Sequence, residues 1–108
     1  HAGIWGVGDG CDLGDGRTGG ALRHQVKIMI DNIQRARRGQ SLINYDGYTV
    51  APIATSRGRV SFGEYDRHLQ VRRSLPVPDQ IRSRRIWWWL DRHVLPQVYW
   101  HRILKGRI

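Results

Sequence analysis

The chain of 108 residues holds one cysteine, one methionine and one phenylalanine. A lone thiol, Cys11, excludes an internal disulfide framework and any zinc site built on several thiolates. The five histidines do not compensate, because none stands in a paired spacing such as HxxxH, and no metal is expected. No run of about 18 apolar residues occurs, so no segment is expected to span a bilayer. Acidic residues are also scarce: 9 Asp and Glu face 18 Lys and Arg, a formal net charge of +9. Such an imbalance directs attention to an anionic membrane surface, a nucleic acid or an acidic partner, and says nothing about fold. The basic residues are almost all arginine, only Lys27 and Lys105 being lysine. The chain opens on His1 with no signal-peptide pattern, and we expect it to be a piece of something longer.

What is present suits one small folded unit, with 40% hydrophobic and 25% charged residues. Ile4 to Asp9, "IWGVGD", is a short apolar run closing on Gly-Asp, the pattern of a buried parallel strand that delivers an acidic residue to its end. Glycines crowd residues 10 to 20. Leu22, Val26, Ile30 and Ile33 then recur at helical spacing, with Met29 and Ala36 on the same side, Thr18 as cap and Gly39 as stop. From Tyr48 to Tyr65 the period becomes two, with Thr49, Val50, Ile53, Thr55, Val60 and Phe62 around "SRGR". That pattern predicts an antiparallel hairpin. Residues 66–79, carrying Pro76 and Pro78, read as an extended connection. From Gln80 helical spacing returns as far as Pro96, which opens a second short helix, Pro96 to Leu104, ended by Gly106.

The strand, glycine-rich turn and helix suggest a cofactor site, although "GVGDG" matches neither a dinucleotide fingerprint in register nor a phosphate loop. Asp9 suits sugar or polyol hydroxyls, since an ionised carboxylate only accepts hydrogen bonds. Gly19 and Gly20 would let a helix N-terminus come close to a flat ligand. Cys11 lies in the same loop, and activating its thiol would take an electropositive pocket. His93 and His101 are candidates for moving protons, though lone histidines among aromatics are more often bystanders.

These residues carry a resemblance. "IWGVGDGCDLGDGRTGGALRHQ" resembles the late FAD-binding segment of the pyridine nucleotide-disulfide oxidoreductase superfamily. "NYDGYTVAPIATSRGRVSFGEYD" and "LPQVYWHRILKGR" are similar to the C-terminal region of sulfide:quinone oxidoreductases. The resemblance implies an α+β fragment of a FAD/NAD-linked reductase fold: a flavin-contacting strand and helix in residues 1–40, a β-hairpin and connection in 41–79, and amphipathic membrane-docking helices in 80–108. It implies FAD held through Gly8, Asp9, Thr18, Gly19 and Gly20, sulfide or another small donor, and a membrane quinone as acceptor. The family's motif carries a catalytic cysteine two residues after the Thr of Y-D-G-Y-T and just before Pro, where this chain has Ala51. The fragment alone is expected to be inactive and able to self-associate. A donor other than sulfide, such as a nicotinamide cofactor, stays open on that account.

"RRIWWWLDRH" then takes a role. Trp87, Trp88 and Trp89 point to three sides of any helix, flanked by Arg82, Arg84, Arg85 and Arg92, with Leu90, Val94, Tyr99 and Trp100 continuing the apolar pattern. Tryptophans beside basic residues at low overall hydrophobicity are expected of a helix lying in the membrane interface, where the indole body is apolar and its N–H stays wet. Packing within the chain and binding of nucleic acid by stacking are the competing uses, and a basic membrane- or nucleic-acid-binding module is the reading outside enzymes. The assignment is a peripheral membrane segment facing quinone.

Overall fold

The computed structural model describes residues 3–12, 17–74 and 79–107. The connection at Pro76 and Pro78 and the glycines at 14 and 16 lie outside them. The chain divides into two compact units, one of His1–Ala51 with Glu64–Ser74 and one of Pro52–Gly63 with Leu75–Ile108.

In the first unit the loop from Gly3 closes on a single 3-10 turn, Gly8–Gly10, and leads to helix α1, Gly19–Arg37. Thr18 caps α1, its hydroxyl accepting the Ala21 amide at 3.1 Å. At the other end Gly39 adopts φ +65°, and the amides of Gly39 and Gln40 bond the carbonyls of Ala36 (3.2 Å) and Arg35 (2.9 Å). This is a Schellman closure, in which a residue without Cβ takes the left-handed position at least cost. Both helix limits follow the sequence expectation.

Two other expectations fail in this unit. Ile4 to Val7 forms no strand, and Ile4 is 74% exposed, because no neighbouring strand among the described residues offers Ile4–Val7 a ladder. The face of α1 that packs is also the polar one: Ala21, Gln25 and Asn32 are buried, whereas Leu22 and Ile30 stand 39% and 48% exposed. The physical reason is hydrogen bonding. Gln25 and Asn32 bind backbone groups of the chain segments before and after the helix, and those bonds draw their face inward.

Strands β1, Thr49–Ser56, and β2, Arg59–Tyr65, form the expected antiparallel hairpin, turning over Arg57 and Gly58 with Gly58 at φ +73°. Gly58 takes the positive φ at the second position of this turn, which a residue without Cβ adopts at least cost. Pro52 sits in β1, which has no partner but β2 among the described residues; an edge strand tolerates the missing donor.

The second unit is built along β2. Residues 80–84 run beside it without helical structure, contrary to the sequence reading. Val60 and Arg84 exchange both backbone bonds, at 3.2 and 3.0 Å, and Phe62 N–H bonds the Gln80 carbonyl at 3.3 Å. Pairing to a free strand edge has overridden a helical pattern. Helix α2, Arg85–Trp89, follows, then a π turn over Leu90–Val94 and helix α3, Leu95–His101. Pro96 falls in the first turn of α3, as expected, but the π turn joins α2 to α3 with no non-helical residue between them. Leu95 N–H bonds the Leu90 carbonyl five residues back, and this wider turn admits the proline ring one position later. Gly106, at φ +61°, ends the run as predicted. No helix among the described residues is long and apolar enough to cross a membrane.

Candidate functional site

In the first unit, three backbone elements converge near the start of α1. The Gly8 amide donates to Gln25 Oε1 at 2.8 Å, fastening the Gly8–Gly10 turn onto the second turn of the helix and leaving the Asp9 carboxyl exposed. The Thr18 hydroxyl also meets Thr49 Oγ1 at 2.9 Å, so one side chain caps the helix and joins it to β1. Gly20 takes the closest approach: a Cβ there would stand 2.2 Å from Val50 Cγ1 and 3.0 Å from the Val50 carbonyl oxygen. A Cβ at Gly19 would meet nothing within 4 Å. The result is a helix N-terminus whose Gly19 side is open and whose Gly20 side lies against the strand, one residue before Ala51.

The base of the hairpin is tied by a buried carboxylate. Glu64 accepts the Ser74 amide at 2.9 Å and shares a hydrogen bond with the Tyr48 phenol. Burial, and then the negative charge of Glu64, raise the pKa of that phenol. His24 lies 5.7 Å from the Tyr48 ring and 6.0 Å from Tyr45. Cys11 is half-buried with its Sγ against Gly6, where a Cβ would come within 2.6 Å of the sulfur.

In the second unit the three tryptophans diverge. Trp87 turns inward, 7% exposed, with its ring edge-on to Phe62 at 5.6 Å. It is thus withdrawn from the surface that the sequence assigned to all three, because the extended residues 80–84 set α2 down beside Phe62. Phe62, Trp87, Leu90, Val94 and Leu95 line an apolar cavity of about 170 Å³. Trp88 is half-buried beneath the Arg92 guanidinium, 5.5 Å above its ring. Trp89, 49% exposed, lies 5.7 Å from the His93 ring. Farther along, Tyr99 and Trp100 contact each other edge-on at 5.6 Å while remaining 47% and 61% exposed.

No family model matches the chain. Curated proteins do, three of them as follows. It is 33% identical over 105 residues to the mitochondrial sulfide:quinone oxidoreductase of Dictyostelium discoideum, covering 96% of this chain and 23% of that protein. The mouse protein of the same name is 30% identical over 104 residues, at 95% and 23% coverage. That of Schizosaccharomyces pombe is 28% identical over 112 residues, at 91% and 22%. The chain is homologous to a segment of sulfide:quinone oxidoreductases. It spans less than a quarter of the length of these relatives.

Against that homology, the structure brings some of the sequence-derived residues together and separates others. Thr18, Gly20 and the strand leading to Ala51 meet directly. Gly8 reaches α1 farther along, at Leu22 and Gln25, while Asp9 stays exposed. The residues that sequence reading passed over are Gln25, Asn32 and Glu64, each buried and each holding a backbone amide. Glu64 stands in the "GEYD" motif that carried the resemblance, so its signal was available. Gln25 and Asn32 look like ordinary polar positions of an amphipathic helix, and only their spacing of seven residues, one face of a helix, could have marked them.

Proposed function

We propose that this chain is the segment of a FAD-dependent oxidoreductase that closes the flavin site and faces the membrane, within an enzyme passing electrons from a small donor to a quinone. The observation that carries the proposal is the 33% identity running over 96% of the chain. Residues 1–40 would complete the flavin-binding domain, 41–79 would form its hairpin and connection, and 80–108 would lie at the membrane.

The residues present fit the cofactor. The α1 N-terminus offers the amides of Gly19 and Gly20, which have no acceptor within the helix, and the open side at Gly19 leaves room for a flat ring to approach. Asp9 presents an exposed carboxylate suited to the hydroxyls of a ribityl chain. When bound, FAD supplies two-electron chemistry that side chains cannot. The chain's own contribution is electrostatic and positional. A helix N-terminus favours negative charge nearby, Thr18 fixes that terminus against β1, and the Glu64–Tyr48 pair anchors the strand pair beneath it. On the other unit, Trp88, Trp89, Tyr99 and Trp100 would sit among lipid headgroups, with Leu90 and Val94 lining the apolar cavity beside which quinone would arrive.

Ala51 favours a second reading of the donor. Alanine can neither carry a persulfide nor form a mixed disulfide, so the sulfide chemistry for which the relatives are named would not pass through this position. A related quinone reductase fed by another donor, such as a nicotinamide cofactor, accounts for the substitution. The test is to replace the matching segment of the Dictyostelium enzyme with this chain. The graft should retain flavin, visible in its absorption spectrum, yet fail to bleach with sulfide in the absence of oxygen. Ala51→Cys in the same graft should restore bleaching. A graft that binds no flavin would overturn the reading, and one that bleaches fully with Ala51 in place would overturn the argument from alanine.

A further inference from the structure

The positive charge is concentrated in one unit. Pro52–Gly63 with Leu75–Ile108 carries nine Lys and Arg against only Asp79 and Asp91, whereas the rest of the chain carries nine against seven. Within this basic unit, the hairpin turn and α2 enclose a groove of about 610 Å³ lined by Ala54, Ser56, Arg57, Gly58, Trp88 and Arg92. We propose that this groove binds the phosphate of an anionic phospholipid headgroup. The inference rests on the reading that this unit works at a membrane surface, and adds to it a discrete site with a lipid preference.

Three observations converge. Two guanidiniums from distant parts of the sequence, Arg57 and Arg92, enter one groove, and among the described residues neither has a carboxylate partner. A planar guanidinium presents several donors in a fixed fork that matches phosphate oxygens. Arg92 is already positioned by the face of Trp88, 5.5 Å from the ring centroid, so less side-chain freedom would be lost on binding. The groove is polar as well as aromatic, with the Ser56 hydroxyl beside the arginines. The same short helix carries Trp89 and Ile86, 49% and 51% exposed and suited to lipid. Indoles settle at headgroup depth, so apolar insertion and phosphate capture would occur at the same level of the bilayer.

The test uses the 108-residue chain and sedimentation with vesicles of phosphatidylcholine, with and without phosphatidylglycerol. The R57Q/R92Q pair is compared with R102Q/R107Q, which removes the same charge from α3 and the tail. Diffuse attraction amounts to about 1 kcal/mol per basic residue near an anionic surface, and both pairs lose it. The site predicts at least a tenfold greater loss of phosphatidylglycerol binding for R57Q/R92Q, with far-ultraviolet circular dichroism unchanged. Equal losses for the two pairs would overturn the site. Inorganic phosphate that displaces the chain at millimolar levels without any vesicle preference would make the ligand free phosphate and overturn the lipid assignment. So would an oligonucleotide that binds more tightly than vesicles and is lost with the same arginines. The flavin graft separates this inference from the functional reading: retained flavin with equal losses sinks only the site, and lost flavin with a selective loss sinks only the enzyme reading.

Discussion

Gly20 offers a way to tell a residue required by the fold from one available to a cofactor, because the structure supplies a reason for glycine there that owes nothing to flavin. Replacing it with alanine would gain helix propensity, about 0.5–1 kcal/mol. The new Cβ, however, would lie 2.2 Å from Val50 Cγ1 and 3.0 Å from the Val50 carbonyl. Carbon atoms rest at about 3.5–4.0 Å, so either Val50 changes rotamer or α1 moves off β1; overpacking of this kind typically costs about 1–3 kcal/mol. The net expectation for Gly20→Ala is a loss of about 0.5–2 kcal/mol. At about 4–8 °C per kcal/mol for a domain of this size, thermal unfolding followed by circular dichroism should register it. Val50→Ala removes the nearer of the two atoms and should recover most of the loss in the double variant, a coupling of about 1 kcal/mol. Gly19→Ala is the control: its Cβ meets nothing within 4 Å, so stability should hold or rise. In the flavin graft that same variant should weaken cofactor retention if the open side faces the ring. A Gly20→Ala chain that unfolds at or above the parent temperature, or a Val50→Ala effect identical in both backgrounds, would refute the close-approach argument.

Thr18→Ala should cost about 1 kcal/mol, since it removes the acceptor for the Ala21 amide and the bond to Thr49; Thr18→Ser should recover most of it, measured by the same melt. At low pH the Asp66 turn should persist unusually far. The Gln70 amide first, and then that of His68, hold its carboxyl below the usual carboxylate range. Because the folded value lies beneath the unfolded one, the stabilisation is complete above the unfolded value of about 4 and fades as pH falls through the lowered folded value. Amide shifts of His68 and Gln70 followed by NMR should titrate below that value, and a midpoint at or above it would contradict the assignment.

How much of this was legible in the sequence depends on the range of the interaction. The cap at Thr18, the stop at Gly39, the Arg57-Gly58 turn and the end at Gly106 are set by residues within four positions of one another, and each was read correctly. The misreadings all involve partners far along the chain. Residues 80–84 carry helical spacing but pair with Val60 and Phe62, some twenty residues away, and no local pattern reports a free strand edge. Ile4 to Asp9 carries the pattern of a buried strand, and among the described residues no strand lies beside it. Pro96 opens α3 as its residue type implies, while the π turn that joins α2 to α3 depends on packing and not on a propensity. In the candidate site, Thr18, Gly20 and the approach to Ala51 were legible through motif resemblance. Gln25 and Asn32 were not, because their role is to hold backbone groups 11 or 17 residues away.

The inverted burial of α1 links these observations to the functional reading. An amphipathic helix gains its stability by covering its apolar stripe. Here the polar stripe is covered, by Gln25 holding the Gly8 amide and Asn32 holding both backbone groups of Ile43, and the apolar stripe is only partly covered, with Leu22 and Ile30 exposed and Val26 and Ile33 half-buried. Hydrogen bonds of that kind contribute only about 1 kcal/mol each, so they orient the helix without supplying the driving force that burying Leu22, Ile30 and their neighbours would supply. Ile4, at 74% exposure, adds to the apolar surface left open in the same unit. A helix fixed by its polar contacts while Leu22 and Ile30 stay exposed on its apolar face leaves apolar surface that another layer would cover. In the relatives, more than three quarters of the polypeptide lies outside the matched region and can provide that layer. On the proposed function, the polar face of α1 belongs to the segment's own architecture, while the exposed Leu22 and Ile30 would dock it onto the remainder of the flavin domain.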